Sequence, residues 1–290
     1  MTEADGKPEH GLRAWLIEYA SEALSSRTAL SVIREPHAAW AYSSSVDAMA
    51  ALANEVTPPA SANGFVFIFV PSGSSTAYEV QKQAEQWMAS RPGEQDGIME
   101  VLFRSECLRW RRGRALCFGT PQLVDDMLAA VTHFSLCEGD LDRLERQADD
   151  ACAILGKDKH LSDNLKSGDL KRRPHVDAMT RTAIDMRLAY LRIDKALDAP
   201  SAEISGSARR VFVELTTLAT AKSRLQRLDG VIDAVLEHYK FVNDRFSDYR
   251  YHLREHYLVA LILILLFLQF IIESRKVWGP KLGLLFGVQF

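Results

Sequence analysis

Cysteine is scarce in this chain: there are four in 290 residues. Cys107, Cys117, Cys137 and Cys152 form no CxxC pair, and none has a histidine at zinc-ribbon spacing, which argues against a structural metal. They read as reduced thiols of an intracellular chain, with a cross-strand Cys107–Cys117 bridge as the alternative. A secretory leader is lacking too. The start, MTEADGKPEHG, has neither a basic n-region nor an apolar run, and its acidic residues do not suit a mitochondrial transit peptide, so the bulk is expected in the cytoplasm. Strong net charge is missing: 35 Lys and Arg stand against 38 Asp and Glu, a formal charge of −3. The molecule as a whole is therefore no electrostatic binder of nucleic acid, and any such role must be local.

Long hydrophobic runs are also missing, with one exception. From Tyr257 to Ile272 the chain reads YLVALILILLFLQFII, with no charge and one polar residue, Gln269. As a helix it covers about 24 Å of a hydrocarbon core of about 30 Å. Arg254 on one side and Arg275 and Lys276 on the other are placed to snorkel, with Trp278 at the interface. The reading is a single-pass membrane anchor with residues 273–290 as a short tail. Lys and Arg are balanced across it, so the cytoplasmic side is assigned to the N-terminal body from the missing leader.

Into this run feeds a heptad pattern. With Val211 as an a position, Leu218, Leu225, Ile232, Tyr239, Phe246 and Leu253 follow, and Ala221, Leu228, Val235, Val242 and Tyr249 fill the d positions. One stalk helix of roughly 63 Å from Val211 to Leu253 is predicted. A preceding helix carries Val176, Met179, Ala183, Met186, Tyr190, Ile193 and Leu197 at the same spacing. The break at Pro200 to Ser207 lets the two fold back as an antiparallel hairpin over residues 175–256, with a homodimeric coiled coil as the competing reading. The stalk outreaches its partner, so Tyr239, Val242, Phe246, Tyr249 and Leu253 are the candidate contacts for a homo-oligomer.

Before these helices lies an α/β body, residues 38–157, preceded by a helical extension, residues 1–37. Leu12, Trp15, Leu16 and Tyr19 stand at helical spacing between Gly11 and Leu24. Ala38 to Tyr42 reads as a strand, and Val46 to Glu55 as a helix behind a serine-rich cap. GFVFIFV at Gly64 to Val70 is a buried strand. Thr76 and Glu79 form a capping box for a helix from Ala77 to Ala89. Met99 to Phe103, Glu106 to Trp110 and Arg114 to Gly119 are strands of a hairpin region. Thr120 and Pro121 open a helix to His133, a second helix covers Gly139 to Ile154, and Lys157 to Pro174 is a polar loop. The fold class is α+β.

Two local features carry possible chemistry. The loop PSGSST, with Ser72, Gly73, Ser74 and Ser75 at a helix N-terminus, suits a bound anion, but it lacks the Walker lysine and equally suits an ordinary strand-to-helix turn. The hairpin carries Arg104, Arg109, Arg111, Arg112 and Arg114 around Trp110. Arg109, Trp110, Arg111 and Arg112 are thus candidates for phosphate contact and base stacking, against solvated surface arginines. His252-Leu253-Arg254-Glu255-His256 matches the H-x-x-E-H spacing of inverted zinc peptidases, but its place on the stalk argues for ordinary interfacial residues. No catalytic, metal or cofactor constellation stands out.

Several pieces together resemble the required-for-meiotic-nuclear-division family: AWAYSSSVDAMAALA, CLRWRRGRALCFGTPQLVDDMLAAV, TRTAIDMRLAYLRIDKALDAP, and LQRLDGVIDAVLEHYKFVNDRFSDYRYHLREHYLVALILILLFLQFII. They run in order from about residue 38 to 272. The resemblance implies an α/β body, a helical hairpin and a C-terminal membrane segment. Mitochondrial members are tied to the inner membrane and to mitochondrial translation as oligomeric scaffolds, and no active-site residues carry over. With an Ala- and Arg-rich composition pointing to a bacterial source, the expectation is an inner-membrane scaffold or tether, with no cofactor. It would self-associate and present its body to a cytoplasmic protein or ribonucleoprotein. The alternative is a membrane-tethered nucleotide- or RNA-binding protein or enzyme using residues 71–76 or 104–114.

Overall fold

The computed structural model describes residues 11–24, 29–34, 36–56, 64–72, 77–90, 97–163, 165, 167–198 and 204–285, with side chains in the last helix described as far as Glu273. The protein is α+β and divides into two compact units. The first comprises residues 1–152 and 183–234, the second residues 153–182 and 235–290.

The first unit is built on a seven-stranded sheet of order β2-β3-β1-β4-β7-β6-β5. Its strands are β1 (Arg13–Ala20), β2 (Ala29–Ile33), β3 (Ala39–Val46), β4 (Phe65–Pro71), β5 (Met99–Phe103), β6 (Glu106–Arg111) and β7 (Arg114–Gly119). All neighbours are antiparallel except β4 and β7, which run parallel. GFVFIFV forms β4 in the middle of the sheet, with Phe65 to Val70 all buried. A strand covered on both faces is apolar at every position, which is why it reads as a continuous run.

The expected N-terminal helix is a strand instead. β1 lies between β3 and β4, and both of its faces are covered. Ala14 and Leu16 join the core beneath the helices α1 (Ala48–Leu52) and α2 (Ala77–Ala89). On the opposite face Trp15 lies 5.8 Å from the Phe67 ring, and Tyr19 donates its hydroxyl to the Thr132 carbonyl at 2.6 Å. Apolar residues at both parities destroy alternation and imitate helical spacing. The helical extension over residues 1–37 is therefore replaced, among its described residues, by β1 and β2.

The sheet's first face packs Val66, Ile68, Val70 and Leu116 against Ala51, Ala84, Trp87 and Met88. Its second packs against α3 (Val124–Asp158): Ile33, Ala39 and Ala41 meet Leu136, and Trp110 meets Phe134 edge-on at 4.9 Å. α1 is shorter than expected and is capped by Asp47, which accepts from the Met49 N–H at 3.1 Å, rather than by the serines before it. α2 has the expected span, while its capping residue Thr76 lies outside the described residues.

The two helices expected after Thr120 are one. A 3-10 turn at Pro121–Leu123 leads into the 35-residue α3, with no break before Gly139. Residues 131–138 are all buried, and a helix enclosed on every side shows no polar stripe at which to end. The expected loop at Lys157 to Pro174 is largely helical: α4 (His160–Asp163) and a 3-10 segment, Ser167–Arg172, lead to α5 (Arg173–Asp198).

The stalk is interrupted once. α6 (Gly206–Leu218) ends at Ala219 and Thr220, and α7 (Ala221–Leu285) begins anew. Thr220 adopts φ +49, and the hydroxyls of Thr216 and Thr217 both bond back to the Val213 carbonyl. Such side-chain competition for backbone acceptors weakens a helix interior. Leu218 at the break is exposed, while the seam positions on either side, Val211 and Leu225, are buried. The expected antiparallel pairing of α5 with α7 is present: Asp198 bonds Lys222 at 2.5 Å, and Arg187 reaches Asp229 and Asp233.

Candidate functional site

The arginine hairpin is folded inward. β6 and β7 turn at Gly113, where φ is +77. Trp110 is buried, and its indole N–H donates to the Ser135 hydroxyl at 2.9 Å. It is a core residue, not a stacking platform. Arg109 donates to Glu100 at 2.7 Å and to Glu85 at 3.1 Å. Arg111 is buried, Arg112 pairs with Asp142, and Arg114 donates to Asn54 at 2.6 Å over the Trp87 ring. The alternation of the strands brings these groups together, but against carboxylates and rings of the same unit. Arg104, at φ +57 in the β5–β6 turn, lies over Phe103.

Ser72, where the Ser/Gly loop begins, lines a cavity of about 290 Å³ beside Pro71, Gln81, Cys107, Arg109 and Phe118. It lies outside the carboxyl ends of the parallel pair β4 and β7, where α/β sheets bind ligands. Gly73, Ser74 and Ser75 lie outside the described residues. The charge balance is unfavourable for an anion, because Arg109 is already flanked by two carboxylates. Burial, then the charge of Glu100, push the Cys107 thiol up, and a protonated thiol is a poor nucleophile. All four cysteines are free. Cys107 faces Phe118 across the ladder and Cys117 faces Leu108, so adjacent register positions send the two thiols to opposite faces.

The main gatherings of polar groups are ionic clusters with structural partners. In the first unit Glu138, Asp142 and Glu145 lie one turn apart on α3 and enclose Arg224 of α7. Arg224 donates to Glu145 at 2.7 and 3.0 Å, to Asp142 at 2.7 Å, and to Glu138. The bond to Glu145 raises the Arg224 pKa against its burial, and Arg224 lowers that of Glu145. At Glu138 burial outweighs Arg224 and raises the pKa. Its second oxygen, Oε2, is buried without a hydrogen-bond partner among the described residues. The i, i+4, i+7 acidic ridge was visible in EGDLDRLE, but its basic partner lies 79 residues or more away in sequence.

In the second unit Asp158 is buried and accepts from the Tyr239 hydroxyl at 3.0 Å, with His175 at 2.7 Å and Arg172 at 3.7 Å. Arg245 donates to the Ser162 carbonyl. This corrects the expectation of an uncovered distal seam: Tyr239, Val242 and Phe246 are completely buried within the single chain. The connection after α3 folds into α4 and the 3-10 segment and supplies the partner that a loop reading hides. Tyr249 and Leu253 are half-buried.

From Tyr257 to Ile272 every residue of α7 is exposed. Among the described residues this is one helix long and apolar enough to cross a membrane. Of the H-x-x-E-H residues, His252 and Glu255 approach to 3.5 Å on the exposed surface. Among the described residues no group of three or more His, Cys, Asp or Glu is placed to hold a metal ion.

No family model matches the chain, and no curated protein does. A solved structure described as that of the full-length CmaX protein aligns with a TM-score of 0.39 at 13% identity, over 95% of this chain and 88% of that one.

Proposed function

We propose that this protein is a membrane-anchored scaffold: a single-pass inner-membrane protein that holds its α/β body on the cytoplasmic side for a protein or ribonucleoprotein partner. The observation that carries the reading is α7, an unbroken helix of 65 residues. Its seam is buried as far as Phe246, and it is apolar and fully exposed from Tyr257 to Ile272. A helix covered with exposed leucine, isoleucine and phenylalanine is at home in lipid. The reading is non-enzymatic because the charged side chains that gather in the body are bonded to one another. The bacterial inner membrane is proposed from the Ala- and Arg-rich composition, and the cytoplasmic side of the body is part of the proposal. The resemblance to the required-for-meiotic-nuclear-division family points the same way. Self-association is assigned to what the fold leaves of the seam beside the span, Tyr249 and Leu253.

Carbonate washing of membranes followed by detergent extraction tests the anchor, and the chain is expected in the detergent fraction alone. Oxidative crosslinking of Tyr249→Cys, with the exposed Cys152 changed to Ser, tests self-association and is expected to give a covalent dimer in membranes. A freely soluble monomer would sink both parts. The nucleotide- and RNA-binding alternative draws no support from the hairpin, whose Trp110 is buried and whose arginines are engaged.

A further inference from the structure

Within the first unit, α5 carries a second apolar stripe besides its seam. Ala183, Met186 and Ile193 of the seam are buried, while Ile184, Leu188 and Leu191, on the other side of the same helix, are each close to half exposed. Their i, i+4, i+7 spacing makes a ridge two turns long, about 10 Å. Apolar side chains scattered singly over a surface are ordinary, whereas a contiguous row marks an interaction site. Heptad periodicity hides the ridge, since its three members fall between the seam positions.

The ridge borders an open groove of about 520 Å³ between α5 and the β2–β3 turn. Leu188 and Leu191 form one wall, Arg34, Arg192 and Lys195 also line it, and among the described residues no acid does. The turn is pinned to α3: His37 meets Asp140 at 2.7 Å, and Arg143 donates to the other oxygen of Asp140 at 3.0 Å. Arg34 and Lys195 hold contacts within the protein as well, but Arg192 is exposed and makes no hydrogen bond or ion pair among the described residues. The three cations stand in a chain whose total charge is −3. Glu35, in the same turn but outside the described residues, and Asp185, beside Ile184, reduce this local excess without cancelling it.

We propose that this ridge and groove dock an acidic amphipathic helix of a partner protein, whose apolar residues lie along Ile184, Leu188 and Leu191 and whose carboxylates face Arg192 and Lys195. This rests on the scaffold reading and names the surface and the chemistry of the partner. Charge complementarity selects the occupant. A second copy docking the same face about a two-fold axis would set these cations against their own equivalents. RNA fits less well, because the ridge is aliphatic and offers no ring for base stacking.

The test uses the full chain in non-ionic detergent and a fluorescein-labelled synthetic helix with leucines at i, i+3 and i+7 and glutamates on its flanks, read by fluorescence polarisation. Saturable binding is expected, weakening as salt is added. The same peptide with lysines in place of the glutamates should bind about tenfold more weakly. Leu188→Ala should weaken binding of the acidic peptide by about tenfold. Arg192→Gln should weaken it less and flatten its salt dependence. Both side chains are exposed, so unchanged thermal melting by circular dichroism separates these effects from misfolding. Failure to bind the acidic peptide, equal binding of the two peptides, or unchanged binding in both variants overturns the docking surface. Retention of single-stranded RNA that falls in Arg192→Gln, without peptide binding, also overturns it and assigns the surface to nucleic acid. Each of these failures leaves the anchor standing, because carbonate extraction reports on the anchor by itself.

Discussion

The hydroxyl of Tyr239 donates to Asp158 at 3.0 Å across 81 residues of sequence. This bond closes the lower seam of α7 on the end of α3. Tyr239 fills an a position, and its ring is as buried as any aliphatic side chain. Tyr239→Phe keeps the ring and deletes one bond, so about 1 kcal/mol of stability should go. Tyr239→Ala removes the ring as well and should cost roughly 3–5 kcal/mol. Thermal unfolding of the detergent-purified chain, followed by circular dichroism, measures both. If seam contacts with a second copy held Tyr239 instead, the losses would depend on protein concentration.

A second relation concerns Gly119 at the end of β7. An added Cβ would fall 1.1 Å from Glu106 Oε2. That carboxylate is buried and accepts from the Thr120 N–H at 2.7 Å and the Thr120 hydroxyl at 2.9 Å. Thr120 therefore does not cap the helix with its own side chain, as its place before Pro121 suggested. Gly119→Ala must expel Glu106 and strand these donors, with an expected cost of roughly 3 kcal/mol. Because both changes break one contact, Gly119→Ala combined with Glu106→Ala should cost less than the sum of the single variants in denaturant titration.

The hairpin yields a third expectation. Trp110→Ala should destabilise by about 3–5 kcal/mol, because the indole fills core space against Phe134 as well as bonding Ser135. Arg109→Ala should lower the melting temperature modestly, since its partners Glu85 and Glu100 are partly exposed and exposed pairs contribute little. Neither change should alter retention of the chain on immobilised single-stranded RNA. Selective loss of retention in Arg109→Ala would restore the nucleic-acid reading.

Strong single-element signals were legible in the sequence. GFVFIFV could only be a buried strand, the 3-4 spacing from Val176 to Leu197 a helix, and the run at Tyr257 to Ile272 an apolar helix face on all sides. Signals that depend on what covers an element were not. β1 imitates a helix because both faces are covered, and α3 hides its continuity because residues 131–138 are enclosed all round. Arg109 and Trp110 look available when only neighbours in sequence are considered. Their partners Glu85 and Ser135 arrive from α2 and α3 through the sheet's topology. The same holds for Asp158, whose role depends on a residue 81 positions away.

The Arg224 cluster makes the last prediction, because its two glutamates titrate in opposite senses. Glu145 has its folded pKa below the ordinary 4.5, chiefly through Arg224. Its stabilising contribution is complete above that value and is lost as pH falls through the lowered folded pKa, where the unfolded chain takes up a proton first. Glu138 has its folded pKa above 4.5, chiefly through burial. It penalises the folded state at neutral pH, and the penalty is relieved as pH falls from the raised folded pKa toward 4.5. In the native chain the two partly cancel across the acid range. Glu145→Gln should lower stability at pH 7 and flatten the loss below about pH 4.5. Glu138→Gln should cost less at pH 7, since Asp142 and Glu145 still hold Arg224, and should remove the gain above pH 4.5, steepening the overall acid decline. Melting temperatures of the three proteins between neutral and acid pH decide the matter, and parallel curves would mean that neither glutamate's pKa differs between folded and unfolded states.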